Sequence, residues 1–336
     1  MLLHAPAFGR ARSLGRRFND LLRRRPDGDV AHAPGALRVA LIGNCQAAAI
    51  ASAVRVLLPG AAVTYESVYG IARRFPRMSD LVARFRDHDA VFATGFHTSF
   101  ADGAPFEALR AGVRLVQIPV IVFPAFHPDL VYVGDLANPA GHIRTALGPY
   151  NSALTLFGYL ADLSPEETAR LFDPAVFAGL GYLDMWEEAT AGLLSLGRDA
   201  SYDLTEDVLR WARRGAFMHS INHPKMFVAC DLARGLLAKA GMAASDLDVE
   251  SYAPDELMRQ GTWPIYPAVA ERYGIAGGYA FVGRGQTPPV YDLLAFVRSS
   301  FAAYAKRRRA ELACARVEGW LANEPVRAEL VRRARG

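Results

Sequence analysis

The sequence predicts an α/β protein: a parallel sheet sandwiched by helices, continued by a helix-rich C-terminal half. Three observations predict it. Between residues 37 and 123, short apolar runs alternate with stretches of helical periodicity, the pattern of βαβ units. After Tyr150 the apolar runs give way to successive helical patterns with cap signals. The chain of 336 residues is 51% hydrophobic and 21% charged, so it has apolar side chains enough for a large core.

The elements follow in order. "LRVALIG" (37–43) reads as a buried strand, since a strand covered on both faces is apolar throughout. It stops at Gly43-Asn44-Cys45-Gln46, and "QAAAIASAVRVLL" (46–58) reads as a helix ended by Pro59-Gly60. "AVTYESV" (62–68) is a second strand. "RMSDLVARFRDHD" (77–89) is a second helix, with Ser79 as its expected N-cap. "AVFATGF" (90–96) is a third strand, 105–112 a short helix, and "VRLVQIPVIVF" (113–123) a fourth strand.

Beyond Tyr150, segments 150–162, 184–197 and 204–215 read as helices. Ser164-Pro165-Glu166-Glu167 is a capping box with Pro at the first helical position. A further helix starts near Pro224. Residues 252–300, rich in Pro, Gly and Tyr, read as irregular. The expected organisation is a basic N-terminal extension (1–34), an α/β domain with a helical second half (35–300) and a basic C-terminal helix (301–336).

Charge and cysteine usage narrow the function. The net charge is +4, but residues 1–25 carry +6 and residues 306–336 carry +5, leaving −7 on the 280 between. A folded body that is mildly acidic argues against nucleic-acid binding. The basic ends suit solvated termini or peripheral contact with an anionic membrane surface. The start of the chain lacks the apolar core of a secretory signal, and no run of 18 apolar residues exists. Three scattered cysteines, Cys45, Cys230 and Cys314, fit a reducing compartment. The expected location is cytoplasmic, with the inner face of the membrane as the contact surface.

Ligands of open parallel sheets bind beyond the carboxyl ends of the strands, so the residues just after each strand are the ones to read for chemistry. After the first strand come Asn44, Cys45 and Gln46. A cysteine at a helix start feels the positive end of the helix dipole, which favours the thiolate. The same N–H groups, at Cys45 and Gln46, suit an oxyanion or a phosphate. The alternative is a small packing cysteine, but two flanking amide side chains make poor neighbours for that role. After the third strand comes His97; after the fourth, His127 and Asp129, the latter placed to bind substrate or to cap the next segment.

"FMHSINHPK" supplies His219, Asn222, His223 and Lys225. Pro224 pushes His223 into an extended conformation, which suits a general base or acid, or a structural histidine. It also keeps His219 and His223 off one helical turn, so a zinc pair is not expected. Arg73, Arg74 and Arg77 follow the second strand and suit a phosphate or a carboxylate, or are a solvated basic loop. "TWPIYP" (262–267) offers a sugar-stacking face or core aromatics.

Three motifs, Gly43-Asn44-Cys45-Gln46, Phe126-His127-Pro128-Asp129 and Asn222-His223-Pro224, resemble the WcbI family of polysaccharide biosynthesis enzymes over roughly residues 38 to 240. That resemblance implies bacterial capsule synthesis, coenzyme A binding and an acetyltransferase role. A more distant similarity to SGNH-type esterases and acetyltransferases implies an SGNH- or flavodoxin-like sheet. In that comparison Cys45 stands where the nucleophilic Ser would be, Gly95-Phe96-His97 where Gly-x-Asn would be, and Ser220-Ile221-Asn222-His223-Pro224 where Asp-x-x-His-Pro would be. A His in place of Asn and a Ser in place of Asp depart from the standard triad.

The expectation is therefore a CoA-dependent O-acetyltransferase that acts on a sugar hydroxyl of a capsular polysaccharide precursor. Cys45, His223, Gln46 and Asn44 are its expected catalytic residues. His97, His127, Asp129, His219 and Asn222 are expected to bind the sugar, and Arg73, Arg74 and Lys225 the CoA of acetyl-CoA, with no metal. Either His223 takes the acceptor proton while N–H groups at Cys45 and Gln46 hold the oxyanion, or Cys45 carries the acetyl group. The alternatives are an SGNH-like esterase or deacetylase, which needs no CoA, and a non-catalytic scaffold of polysaccharide synthesis.

Overall fold

The computed structural model describes residues 35–136 and 141–336. The basic N-terminal extension (1–34) lies outside the described residues. The chain divides into two compact units: Met1–Val116 with Leu236–Leu247, described from Gly35 onward, and Gln117–Gly235 with Asp248–Gly336.

The first unit is built on a parallel sheet of β1 (Arg38–Gly43), β2 (Ala62–Ser67), β3 (Ala90–Ala93) and β4 (Leu115–Gln117), in the order β2-β1-β3-β4. Val39, Ala40, Leu41 and Ile42 are fully buried. Full burial of a Val, Leu or Ile side chain stabilises by about 1.5–3 kcal/mol, which explains why the most apolar run lies between two neighbours. Ala40 and Ile42, with Val91 and Ala93, share one face by their period of two and pack on Ile71, Leu81, Phe85 and Leu109. Helix α1 (Cys45–Leu57) packs on β1 and β2.

The strand order fixes where a ligand would enter. The chain steps from β1 to β2 on one side, then returns past β1 to β3 on the other. Crossovers are right-handed, so the connecting helices fall on opposite faces. The carboxyl ends of β1 and β3 then flank the switch point, where open α/β sheets bind ligands.

Several boundaries differ from the sequence reading. Helix α2 (Ile71–Arg74) is one turn, and α3 spans Met78–Phe85. Ser79 lies inside α3 rather than capping it: Asp102 accepts from the Met78 and Ser79 N–H groups (3.2 and 3.3 Å), and Asp80 from Arg77 N (3.1 Å). A carboxylate 24 residues away thus replaces the expected local hydroxyl. After α4 (Phe106–Gly112), the run 113–123 yields only the three residues of β4. Pro119 and Pro124 supply no N–H, and Phe123 N bonds instead to the Ile221 carbonyl (2.8 Å).

The second unit is mainly helical. Three short antiparallel pairs tie it: β5 (Leu130–Val131) with β6 (Asn151–Ser152), β7 (Met218–Ser220) with β8 (His223–Pro224), and β9 (Phe281–Val282) with β10 (Val290–Tyr291). Its helices are α5 (Ala153–Leu160), α6 (Pro165–Ala169), α7 (Pro174–Gly179), α8 (Trp186–Asp199) and α9 (Thr205–Arg213). Helix α10 (Met226–Lys239) begins here, and its last turn belongs to the first unit. The capping box at α6 forms as expected: Ser164 Oγ accepts from Glu167 N (3.1 Å), and Glu167 Oε2 from Ser164 N (2.7 Å).

The segment 252–300 holds more order than its composition suggests, with α11 (Pro267–Tyr273) and α12 (Leu293–Tyr304). Trp263 and Tyr266 are each 1% exposed, so the expected stacking face is core. Trp263 meets Phe281 and Phe296, which stack with centroids 3.9 Å apart. Residues 301–336 form the end of α12 and two more helices, α13 (Ala315–Ala322) and α14 (Glu324–Arg335), rather than one. Much of their positive charge is paired: Arg332 and Arg333 with Glu329, Arg308 with Glu311. Among the described residues no helix is long and apolar enough to cross a membrane.

Candidate active site

The first candidate set lies at the carboxyl end of β1. Asn44 is the N-cap of α1, and its Oδ1 accepts from Gln46 N at 3.0 Å. The Asn44 carbonyl accepts from Ala48 N (3.3 Å). Cys45 is therefore the first helical residue, a half-buried cysteine outside any disulfide, at the positive end of a 13-residue helix. Gln46 is 2% exposed, and its N–H is taken by the Asn44 cap. The oxyanion role expected for that N–H would require the cap to break.

Tyr65 and Gly43 hold the corner, and of the two Tyr65 was not singled out by the sequence. Tyr65, opposite Leu41 in the register, shares its hydroxyl hydrogen between the carbonyls of Gly43 (3.2 Å) and Asn44 (3.0 Å). Burial pushes the Tyr65 phenol well above its ordinary pKa, so it stays a donor. Gly43 lies so close to α1 and β3 that an added Cβ would sit 2.5 Å from Ala47 Cβ and 2.8 Å from Thr94 Oγ1. The glycine is what lets the helix start directly on the strand.

Gly43 pairs with Ser67 across the sheet, so the loop after β2 leaves from the same edge. Arg74 serves that loop. Its guanidinium bonds Glu66 Oε1 (2.6 Å) and the carbonyls of Tyr69 (3.0 Å), Gly70 (3.3 Å) and Ser67. Arg73 is exposed beside Gly70. His97, in the loop after β3, is exposed as well.

The second set lies in the other unit, on the β7–β8 hairpin. His219 and His223 sit on opposing strands of it, 7% and 6% exposed, and not on one helical turn. The carboxylate of this set, Asp255, meets His219: Oδ2 lies 2.7 Å from Nε2. Asp255 also accepts from Met226 N (3.3 Å) and Met258 N (3.0 Å). Burial alone would raise its carboxyl, but these bonds hold it below the usual range. Nothing in the sequence marked Asp255, which stands 36 residues from His219 in a segment without periodicity.

His223 belongs to a directed chain of hydrogen bonds. Asn222 Nδ2 donates to Tyr132 Oη (3.0 Å), and Tyr150 Oη donates to Asn222 Oδ1 (2.7 Å). With its hydrogen spent, Tyr150 accepts from His223, whose Nε2 lies 3.1 Å away. Burial brings the His223 imidazole down to about 3, and the charges of His219 and Arg284 add to that. Burial also depresses the ammonium of Lys225, just after β8.

His127 and Asp129 are enclosed in the same unit. His127 is 1% exposed and donates from Nε2 to the Trp263 carbonyl (3.1 Å); burial lowers it to about 3. Asp129 is fully buried and accepts from Leu154 N (2.9 Å), Tyr182 Oη (3.1 Å) and Tyr266 Oη (2.8 Å). It caps the start of α5, the structural alternative open at that residue. Burial raises its carboxyl.

A family profile described as polysaccharide biosynthesis enzyme WcbI matches residues 38–245. No curated protein matches the chain. A solved structure of WcbI superposes with a TM-score of 0.66 over 89% of this chain and 99% of that one, at 13% identity. It is described as a novel polysaccharide biosynthesis enzyme, the native protein without a disulfide bond between coenzyme A and one of its cysteines. The α/β fold is thus shared, and the profile spans both β1 with its cysteine corner and the β7–β8 hairpin. This chain belongs to the WcbI family of polysaccharide biosynthesis enzymes.

Proposed function

We propose that this enzyme transfers an acetyl group from acetyl-CoA to a sugar hydroxyl of a capsular polysaccharide precursor. The observation that carries the reading is Cys45, a half-buried cysteine outside any disulfide at the first position of α1, beside the switch point of the sheet. The structural neighbour is described with coenzyme A and a cysteine in one phrase, and Cys45 is the cysteine of this chain at a helix start on the sheet edge. Arg73, exposed on the loop leaving that edge, suits a CoA phosphate better than Arg74, whose fork is engaged within its own loop.

Acetyl-CoA supplies the acyl group as a thioester. Cys45, as thiolate, attacks its carbonyl carbon; the carbon–sulfur bond to CoA breaks, and the CoA thiolate leaves and takes up the proton lost by Cys45. A general base removes the proton from the acceptor hydroxyl, the sugar oxygen attacks the Cys45 thioester, the Cys45 sulfur leaves, and the proton returns to it. Of the two hairpin histidines, His219 suits a base better than His223, because Asp255 stabilises the imidazolium formed on it. Neutral His223 and Tyr150 are hydrogen-bonding groups for the acceptor.

Thermal unfolding with CoA, acetyl-CoA and free sugars tests the class. At a CoA concentration 100-fold above Kd the native state gains about 2.7 kcal/mol, so the unfolding midpoint rises with CoA. A midpoint indifferent to CoA and acetyl-CoA contradicts the reading and favours a hydrolase.

A further inference from the structure

The short 3-10 turn Pro124–Phe126, closed by His127 N on the Pro124 carbonyl (2.8 Å), fastens the β7–β8 hairpin at two points. Before it, Phe123 N donates to the carbonyl of Ile221, between the two strands (2.8 Å). Phe123 and Phe126 pack on Phe217 at the foot of β7, with ring centroids 4.7 and 5.1 Å away. After the turn, His127 Nε2 donates to the Trp263 carbonyl (3.1 Å), and Trp263 N donates to the His219 carbonyl (2.8 Å). The Trp263 backbone is thus held between the two histidines.

The segment that carries Trp263 also carries Asp255. Its near end is fixed by Asp255 itself, whose carboxylate meets His219 Nε2 and accepts from Met226 N and Met258 N. Its far end is fixed at Thr262, which exchanges hydrogen bonds with Val282 (3.0 and 3.1 Å), and at Trp263. Trp263 is 1% exposed, so its carbonyl lies in the core and takes its donor from the side chain of His127. The far end of the Asp255 segment therefore depends on an imidazole from another part of the chain.

The chemistry of His127 fits one bond and no more. A carbonyl only accepts, so the ring proton sits on Nε2. Nδ1 is buried and has no hydrogen-bond partner among the described residues. An apolar side chain would avoid that orphaned nitrogen; what the imidazole adds is its Nε2 donor. Burial brings the ring down to about 3, and charge on His219 opposes its protonation further. His127 therefore places no cation beside the His219–Asp255 pair.

We propose that His127 is the positioning residue of His219: its Nε2–H fixes the Trp263 backbone, which holds the His219 carbonyl on one side and leads to Asp255 on the other. With Nε2–H of His219 on Asp255, Nδ1 is the nitrogen left to take a proton. The direction of Nδ1 then follows from the backbone that His127 fixes. The catalytic consequence rests on the reading of His219 as the base; the effect on the His219–Asp255 bond is independent of it.

Three full-chain variants separate the bond from packing. His127→Gln puts an amide N–H where Nε2 stands, His127→Asn puts one where Nδ1 stands, short of the carbonyl, and His127→Leu has none. The first readout needs no substrate: the ring-nitrogen shifts of His219 by heteronuclear NMR on histidine-labelled protein, in the neutral imidazole, assigned by their loss in His219→Gln. The wild type and His127→Gln show the Nε2–H tautomer that Asp255 selects, and His127→Leu shows a mixture of tautomers. His127→Asn gives the same mixture and replaces the Leu variant if that one fails to fold. The second readout is acetyl transfer: kcat falls about 10²-fold in His127→Leu, the cost of a misplacement of about 1 Å, with KM little changed, and recovers in His127→Gln. A single Nε2–H tautomer in the Leu and Asn variants, with only a lower urea midpoint, overturns the proposal. So does a mixture of tautomers in the wild type or in folded His127→Gln. Failure of the acyl-transfer reading shows instead as absent CoA stabilisation with the tautomer pattern intact.

Discussion

Asp255 Oδ2 lies 2.7 Å from His219 Nε2, which makes His219 the histidine of the β7–β8 hairpin with a bonded carboxylate. Asp255→Asn keeps a polar partner of the same size and removes the charge that stabilises the imidazolium. We expect kcat to fall about 10²- to 10⁴-fold, the range of general acid–base catalysis, with CoA binding retained and the kcat–pH profile displaced. A variant as fast as wild type with an unmoved profile would assign Asp255 to structure alone.

Gly43→Ala tests whether the cysteine corner depends on close approach of strand and helix. The new methyl would stand 2.5 Å from Ala47 Cβ, which belongs to α1 and has no rotamer to relieve the clash. Overpacking of this kind costs about 1–3 kcal/mol. The urea midpoint should drop accordingly, and CoA stabilisation should weaken with it. Wild-type values for both would show that the corner tolerates a wider spacing.

The cysteine corner was legible in the sequence because every part of it is local. An apolar run, a glycine, an amide cap and a helical pattern stand next to one another in residues 38–58. Parallel alternation, too, was read from short-range period. The hairpin histidines were legible as a cluster, since Pro224 fixed their local conformation. Asp255 and Tyr150 were not, because each joins the hairpin through a hydrogen bond distant in sequence. Asp129 and His127 misled for a related reason: a polar residue after a strand looks the same whether it faces a ligand or closes a core network.

Acid sensitivity follows from the buried histidines. His127 and His223 are brought down to about 3 in the folded chain, against an unfolded value of about 6.5. Between those values the unfolded chain binds more protons, so the stability present above about pH 6.5 is lost as pH falls towards 3. Each histidine contributes a loss of about 2 kcal/mol between pH 6.5 and 5. The depressed Asp255 carboxyl adds its own loss only below about pH 4, as pH falls through its folded value. Urea midpoints measured from pH 7.5 to 5 should decline steadily, and His127→Gln should flatten the slope. A midpoint constant over that range would mean that these imidazoles are not shielded from protonation.

The proposed acyl transfer turns on Cys45 receiving the acyl group. The direct measurement is the intact mass of the protein after rapid quench from acetyl-CoA alone, with Cys45→Ser beside it. The prediction is an increase of one acetyl group, mapped to Cys45, absent from the variant and discharged when the sugar acceptor is added. Transfer to the acceptor at wild-type rate by Cys45→Ser, with no acetylated wild-type protein at any quench time, would contradict it.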